Sequence, residues 1–108
     1  MRSGVPKPPA HLSREARALW RDVVREFALE AHHVAILRVS LEAFDRCETA
    51  RTTIEEAGTT YVDRFGAPRK HPLVSVEEAA RIAFLRGMRE LGLEDSVPDS
   101  RPPRVGGR

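Results

Sequence analysis

An uninterrupted stretch of helix-forming residues from His33 to Ala57 constrains this chain more than any other feature. It contains no proline or glycine, and Ala, Leu, Glu and Arg fill much of it. Gly58 follows directly, and a glycine at this position predicts a helix that ends in a left-handed residue. At 1.5 Å per residue such a helix spans roughly 35 Å, about the width of a small domain. We therefore expect the rest of the 108-residue chain to pack around this central helix.

The central helix carries two apolar stripes where one would be usual. The first stripe consists of Val34, Leu37, Leu41 and Phe44. The second, roughly 120° around the helix axis, consists of Ile36, Ala43, Cys47, Ala50, Ile54 and Ala57. Two apolar stripes indicate that two separate elements pack against this helix. One partner could be a second copy of the chain, or helices of the same chain could clasp the central helix from both sides, and the pattern fits either arrangement. In the first case the second stripe supplies an oligomer interface through Ile36, Ala43, Cys47 and Ile54.

A first helix is predicted over about residues 13–28. Ser13 is a good N-cap, and apolar residues from Ala16 to Phe27, including Trp20, share one face. The opposite face carries one arginine per turn: Arg14, Arg17, Arg21 and Arg25. Such a face suits a phosphate backbone, and it equally suits a solvated surface that forms salt bridges with acids on a neighbouring helix or subunit.

The segment 59–71 changes character to strand formers and turn residues. We expect an extended segment or a small hairpin, with Tyr61 and Phe65 among its basic residues Arg64, Arg69 and Lys70. This composition is that of a tip that contacts a nucleic-acid backbone, or of an ordinary solvated loop.

The third helix is predicted over about residues 73–91. Pro72 suits the first helical position, whereas the capping-box match from Ser75 to Glu78 favours a later start; we expect the earlier one. Gly92 ends the helix. Ile82 and Leu85 lie outside its main apolar face and join the candidate oligomer-interface residues.

The fold class that follows is mainly α, with three helices around the long central helix and a short extended segment or β-hairpin between helices two and three. A helical domain is expected at 11–93. The Pro-rich residues 1–10 and the Arg/Pro-rich residues 94–108 are expected to be disordered termini.

Composition excludes several classes of function. The net charge is only +2, from 18 basic and 16 acidic residues, so the distribution of charge matters more than its sum. A single cysteine permits no disulfide within the chain and fits a reducing compartment. We find no Gly-rich phosphate loop and no Cys/His cluster with the spacing of a zinc site. We also find no apolar run long enough for a membrane span and no signal peptide. We therefore expect no enzyme, no cofactor, no metal and no membrane partner.

The order of features over residues 8–93 resembles the short, mostly helical family of phage terminase small subunits. The matching stretches are PPAHLS, ARALWRDVVREF, LEAFDRCETARTTIEEAG, TYVDRFGAPRKHPLVSVEEAA and IAFLRGMRELGL. The most specific parts are Trp20, Gly58, the step from Gly66 to His71-Pro72, and the closing Glu90–Leu93. One departure is that Glu94 and Asp95 follow Leu93, where the family continues with Thr-Pro and Ser/Arg residues.

The resemblance implies a non-catalytic homo-oligomeric ring in the cytoplasm of the bacterial host. Such a ring recognises double-stranded viral DNA for packaging and recruits or regulates the large terminase subunit, which holds the ATPase and nuclease. On this basis the DNA-binding candidates are the four arginines of the first helix together with Arg64, Arg69 and Lys70. The alternatives are a helical assembly protein of the phage head that does not bind DNA, and a small dimeric DNA-binding regulator.

Overall fold

Three helices and one small hairpin make up the described part of the chain, residues 5–93 of a computed structural model. The order is α1 (Arg14–Glu26), α2 (Ala31–Ala57), β1 (Thr60–Val62), β2 (Pro68–Lys70) and α3 (Pro72–Leu91). The strands pair antiparallel with Tyr61 opposite Arg69. This confirms the mainly α class and the hairpin between the second and third helices. The predicted tail at 94–108 and the first four residues of the lead lie outside the described residues.

Local chemistry defines where each helix begins. The Ser13 Oγ accepts the Ala16 N–H at 3.0 Å and caps α1. At the start of α2 the Glu30 N–H donates to His33 Nδ1 at 3.2 Å. Pro72 occupies the first turn of α3, and His71 Nδ1 accepts the Leu73 N–H at 3.1 Å. The earlier predicted start of α3 is therefore confirmed.

Both long helices end at a glycine with positive φ, but in two different conformations. Gly92 after α3 is left-handed helical, with φ 64° and ψ 33°. Gly58 after α2 has φ 89° and ψ 166°, so the predicted left-handed stop is wrong in detail. This extended region at positive φ is essentially restricted to glycine, and it directs the chain straight into β1.

The two stripes of α2 serve two helices of the same chain. Leu37 and Leu41, from the first stripe, pack with Ala16 and Trp20 of α1. The second stripe faces α3: Cys47 Sγ lies 3.8 Å from Glu77 Oε2, and Ala43 and Ala50 are buried. Of the two interpretations left open by the sequence, the structure shows the helices of one chain clasping α2 from both sides.

Small residues allow α2 and α3 to approach closely. A Cβ built on Gly87 would lie 1.8 Å from Ser40 Oγ and 2.8 Å from Ser40 Cβ. Ser40 is 2% exposed and donates from Oγ to the Ile36 carbonyl at 2.7 Å. The backbones therefore meet at a point where neither helix has room for another carbon atom.

The helix α1 covers only part of α2. Asp45 of α2 accepts hydrogen bonds from the Ser13 N–H, at 2.8 Å, and from the Ser13 hydroxyl. From this point α1 runs back toward the short connection at 27–30, antiparallel to α2. Its 13 residues span about 20 Å, whereas the 27 residues of α2 span about 40 Å. Among the described helices, none therefore covers the second half of α2 on its α1 side.

Candidate nucleic-acid and subunit interfaces

The outward face of α1 carries three of the four predicted arginines. At 100° per residue, Arg14, Arg21 and Arg25 lie opposite the buried Ala16 and Trp20, and all three are exposed. Arg14 and Arg21 pair with no carboxylate among residues 5–93. Arg25 instead pairs with neighbouring acids on its own helix, at 2.9 Å and 3.8 Å. Two positive charges on this face are therefore not neutralised locally.

Arg17, the fourth arginine of α1, is engaged in holding the chain. It is half-buried, and its Nη1 donates to the Leu12 carbonyl at 2.7 Å and to the Ala10 carbonyl at 3.2 Å. The nearby Pro6 carbonyl accepts the indole N–H of Trp20 at 2.9 Å. Arg17 and Trp20 thus fix the segment before α1 against the helix, a role that the regular spacing of the arginines does not reveal.

The hairpin brings its predicted basic residues together, with different partners. Arg69 Nε donates to Asp63 Oδ2 at 2.9 Å. The Arg64 guanidinium lies 5.0 Å from the centroid of the Phe65 ring. Arg64 and Lys70 are exposed and pair with no carboxylate in the described part of the chain.

Asp63 organises the turn of this hairpin, a role that residue type alone does not reveal. Its Oδ1 accepts the Phe65 N–H at 2.8 Å and the Ala67 N–H at 2.9 Å. The hydrogen bond from Arg69, followed by that from Ala67, holds the pKa of the Asp63 carboxyl below its ordinary value. An Asp three residues before a glycine, between two runs of strand formers, is the available sequence signal for such a turn.

The hairpin also exposes large apolar side chains. Tyr61 is 45% exposed, Val62 68% and Phe65 79%. All six residues of the two strands are exposed, so neither face of the hairpin is buried by the rest of residues 5–93. An isolated two-stranded hairpin is marginally stable in water.

The predicted oligomer-interface residues divide into two groups. Ile82 and Leu85 are 55% and 52% exposed on the outer face of α3. Ala43 and Cys47 are only 0% and 9% exposed, because they pack beneath α3 of their own chain. Ile36 and Ile54 on the same stripe are half-buried.

An apolar groove of about 420 Å³ runs along one side of the α2–α3 pair, and the sequence did not single it out. Its lining includes Ile36, Val39, Ala83 and Gly87. Val39, which is 51% exposed, is a further apolar side chain at this surface.

A second groove, of about 690 Å³, lies where α1 begins above the uncovered half of α2. Its floor contains Phe44, whose ring lies 5.4 Å from that of Phe84 in α3. Its charged lining consists of Glu15, Asp45, Glu48 and Arg51, with His11 at one side. Three carboxylates thus face one guanidinium.

The one arginine of this groove is shared between two acids. Arg51 lies 2.9 Å from Glu48 and 2.7 Å from Glu55, and the hydrogen bond to Glu48 raises the pKa of Arg51 above its ordinary value. The positive charge of Arg51 is therefore already compensated, and the groove is acidic.

The described residues hold no cluster of metal-ligating side chains and no membrane-spanning helix. Within residues 5–93, no group of three or more His, Cys, Asp or Glu side chains is placed to hold a metal ion. Glu77, beside the buried Cys47, forms an ion pair with Arg81. None of the helices in this part of the chain is both long and apolar enough to cross a bilayer.

Comparison with known proteins identifies one family. The family model described as phage terminase, small subunit, matches residues 16–101, which include α1 from Ala16 onward, α2, the hairpin and α3. No curated protein and no solved structure shows significant similarity to the chain.

Proposed function

Because this chain belongs to the family of phage terminase small subunits, we propose that it serves viral genome packaging as a non-catalytic, self-associating, DNA-binding subunit. The family supports the role in packaging. The surfaces described above support the finer parts of the proposal, which are the DNA contact and the contact between copies.

The observation that carries the DNA contact is the outer face of α1. Arg14 and Arg21 project from the same side, two turns or about 10 Å apart, and neither pairs with a carboxylate of the described chain. Duplex DNA presents phosphates all along such a length, and arginine forms bidentate hydrogen bonds with phosphate oxygens. Contacts of this kind position a protein on DNA without reading its sequence, so we expect affinity that is mainly electrostatic.

Self-association is supported by the outer face of α3. Ile82 and Leu85 lie three residues apart on one side of the helix and expose more than half of their surface. Burial of such side chains between copies contributes about 25 cal/mol per Å² of apolar area. We propose that they lie in contacts within a homo-oligomeric ring.

The remaining parts of the proposal follow from the family. We propose that the ring recognises viral DNA in the cytoplasm of the bacterial host and recruits or regulates the large terminase subunit. No surface among residues 5–93 is assigned to that second partner.

The test of DNA binding compares two double variants with the same change of charge. Arg14→Glu/Arg21→Glu reverses the proposed face, and Arg46→Glu/Arg86→Glu reverses two exposed arginines on α2 and α3. Binding to a fluorescent duplex is measured by anisotropy between 50 and 200 mM salt. Because each phosphate contact contributes about 0.9 to the salt slope, loss of two contacts lowers it by about 1.8 per subunit.

The two double variants give distinct outcomes. We expect the α1 variant to lose roughly tenfold or more in affinity at low salt, while the α2/α3 variant stays near wild type. Equal binding by both would remove the α1 face from the proposal. A wild-type protein that assembles but has no affinity for duplex at 50 mM salt would instead be a head-assembly protein.

A further inference from the structure

The turn of the β-hairpin presents an aromatic and a cationic side chain on a rigid support. The Asp63 carboxylate accepts two backbone N–H groups and the Arg69 Nε, and the Gly66 N–H donates to the Asp63 carbonyl at 3.0 Å. The side chains held outward are Phe65, which is 79% exposed, and Arg64 against its ring. Aromatic and arginine side chains are the commonest anchors of protein interfaces, and preorganisation lowers the entropy lost on binding.

This tip is not covered by any other part of the chain between residues 5 and 93. Neither strand of the hairpin buries a residue, and no hairpin residue lines the acidic groove beside α1. An exposed hairpin of this length gains stability when another surface packs on it. Among residues 5–93, neither surface is covered by another part of the chain, and a second copy of the chain can supply the cover for both.

The acidic groove is complementary to the tip, because it is a recess with an apolar floor and negative charge around it. It is an open recess of about 690 Å³, with the Phe44 ring at its floor and Glu15, Asp45 and Glu48 around it. Asp45 is committed to Ser13, and Glu48 shares Arg51 with Glu55, which leaves Glu15 without a cationic partner in the described chain. An apolar floor with an acidic rim suits an aromatic side chain that is flanked by a guanidinium.

We infer that the hairpin tip of one copy docks in the acidic groove of the next copy, with Phe65 toward Phe44 and Arg64 toward Glu15. This inference rests on the proposed self-association and adds a second, different contact to it. The two surfaces are distinct patches of one molecule, so the contact is head-to-tail, and repetition of a head-to-tail contact builds a ring or a filament. The hairpin then serves assembly, while Arg14 and Arg21 remain available for DNA.

The test uses a charge exchange across the contact. Arg64→Glu places two like charges together, and so does Glu15→Arg, whereas the double variant Arg64→Glu/Glu15→Arg restores opposite charges. Oligomer mass is measured by native mass spectrometry and by light scattering across a range of protein concentrations. We expect each single variant to raise the concentration at half-assembly by about tenfold or more, and the double variant to recover most of this loss.

Two further variants isolate the aromatic anchor and the effect of charge alone. Phe65→Ser removes an exposed side chain, so we expect assembly to weaken while the thermal melt of the monomer is unchanged. Arg46→Glu makes the same charge change as Arg64→Glu at an exposed site outside the groove and the hairpin, and we expect it to assemble as wild type does.

The outcomes separate this inference from the proposed function. A wild-type protein that is monomeric at every concentration overturns both self-association and the docking. Assembly of wild type together with normal assembly of Arg64→Glu and Phe65→Ser overturns the docking alone. If Phe65→Ser assembles normally but loses affinity for duplex DNA, the tip contacts nucleic acid, and the docking is likewise overturned.

Discussion

Replacement of Gly87 by alanine tests how closely α2 and α3 approach. In an ordinary helix interior, Gly→Ala stabilises a protein by about 0.5–1 kcal/mol, because glycine loses more backbone entropy on folding. At Gly87 the new Cβ would lie 2.8 Å from Ser40 Cβ and 1.8 Å from Ser40 Oγ. Rotation of the Ser40 side chain relieves only the second contact and costs the hydrogen bond to the Ile36 carbonyl. The helices must therefore move apart.

The sign of the effect follows from these magnitudes. Overpacking a buried contact costs about 1–3 kcal/mol, which exceeds the gain in helix propensity. We expect Gly87→Ala to destabilise the fold by about 1–2 kcal/mol. For a domain of this size, that corresponds to a melting temperature lower by roughly 5–10 °C.

A second substitution makes the argument specific to this contact. Ser40→Gly removes both offending atoms and leaves only Ser40 Cα, 3.6 Å from the new Cβ, which is ordinary van der Waals contact. In that background, Gly87→Ala is expected to stabilise the fold by its usual amount. The double-mutant cycle should then show a favourable coupling of about 1.5–3 kcal/mol.

The assay is urea denaturation of the four proteins, followed by circular dichroism, with thermal melts as a second measure. Native mass spectra recorded in parallel show whether all four share the same oligomeric state, since assembly alters apparent stability. A higher melting temperature for Gly87→Ala in the wild-type background would refute the close approach, as would additive effects in the cycle.

Three further predictions concern the core, a cap and a turn. Leu37→Ala empties a fully buried site between α1 and α2 and should cost about 2–5 kcal/mol in urea denaturation; a cost under 1 kcal/mol would contradict its place in the core. Asp45→Ala leaves the Ser13 N–H and hydroxyl without their acceptor and should cost about 1–3 kcal/mol. Ser13→Ala should cost about a further 1 kcal/mol in that background, because the hydrogen bond from the Ala16 N–H to Ser13 Oγ that caps α1 is lost as well. Arg69 lowers the pKa of the Asp63 carboxyl in the folded protein. The stabilisation of the turn by the ionised carboxylate is therefore complete above the pKa of the unfolded chain, near 4. It is lost as the pH falls further, through the lower pKa of the folded state. The amide resonance of Ala67 should accordingly move only below about pH 4, and a midpoint at or above pH 5 would contradict the bond.

Interactions between residues close together in the sequence predicted most of the secondary structure. Ser13, Pro72 and Gly92 mark helix ends because their side chains or backbone freedom act within a turn of the chain. A run of helix formers without proline or glycine between His33 and Ala57 predicted the long helix. Gly58 shows the limit, because its ψ depends on where the next strand must begin.

Residue type predicted which side chains could form the candidate surfaces, but it did not predict which of those side chains are free to bind a partner. Arg14 and Arg17 are indistinguishable in spacing, yet Arg14 is exposed while Arg17 donates to two carbonyls of the preceding segment. Arg69 and Lys70 are neighbours, and only Arg69 has an acidic partner within the described chain. Whether a guanidinium is free depends on groups distant in sequence, which no local pattern contains.

The sequence by itself determined that α2 is a long helix with two apolar stripes, because helical periodicity is a property of consecutive residues. It could not determine what covers each stripe, since a helix of the same chain and a helix of a second copy bury apolar surface equally well. Tertiary structure decided this by geometry: Gly87 lets α3 lie against Ser40. The short α1 covers only the first half of α2, and within residues 5–93 no other helix covers the second half beside the acidic groove.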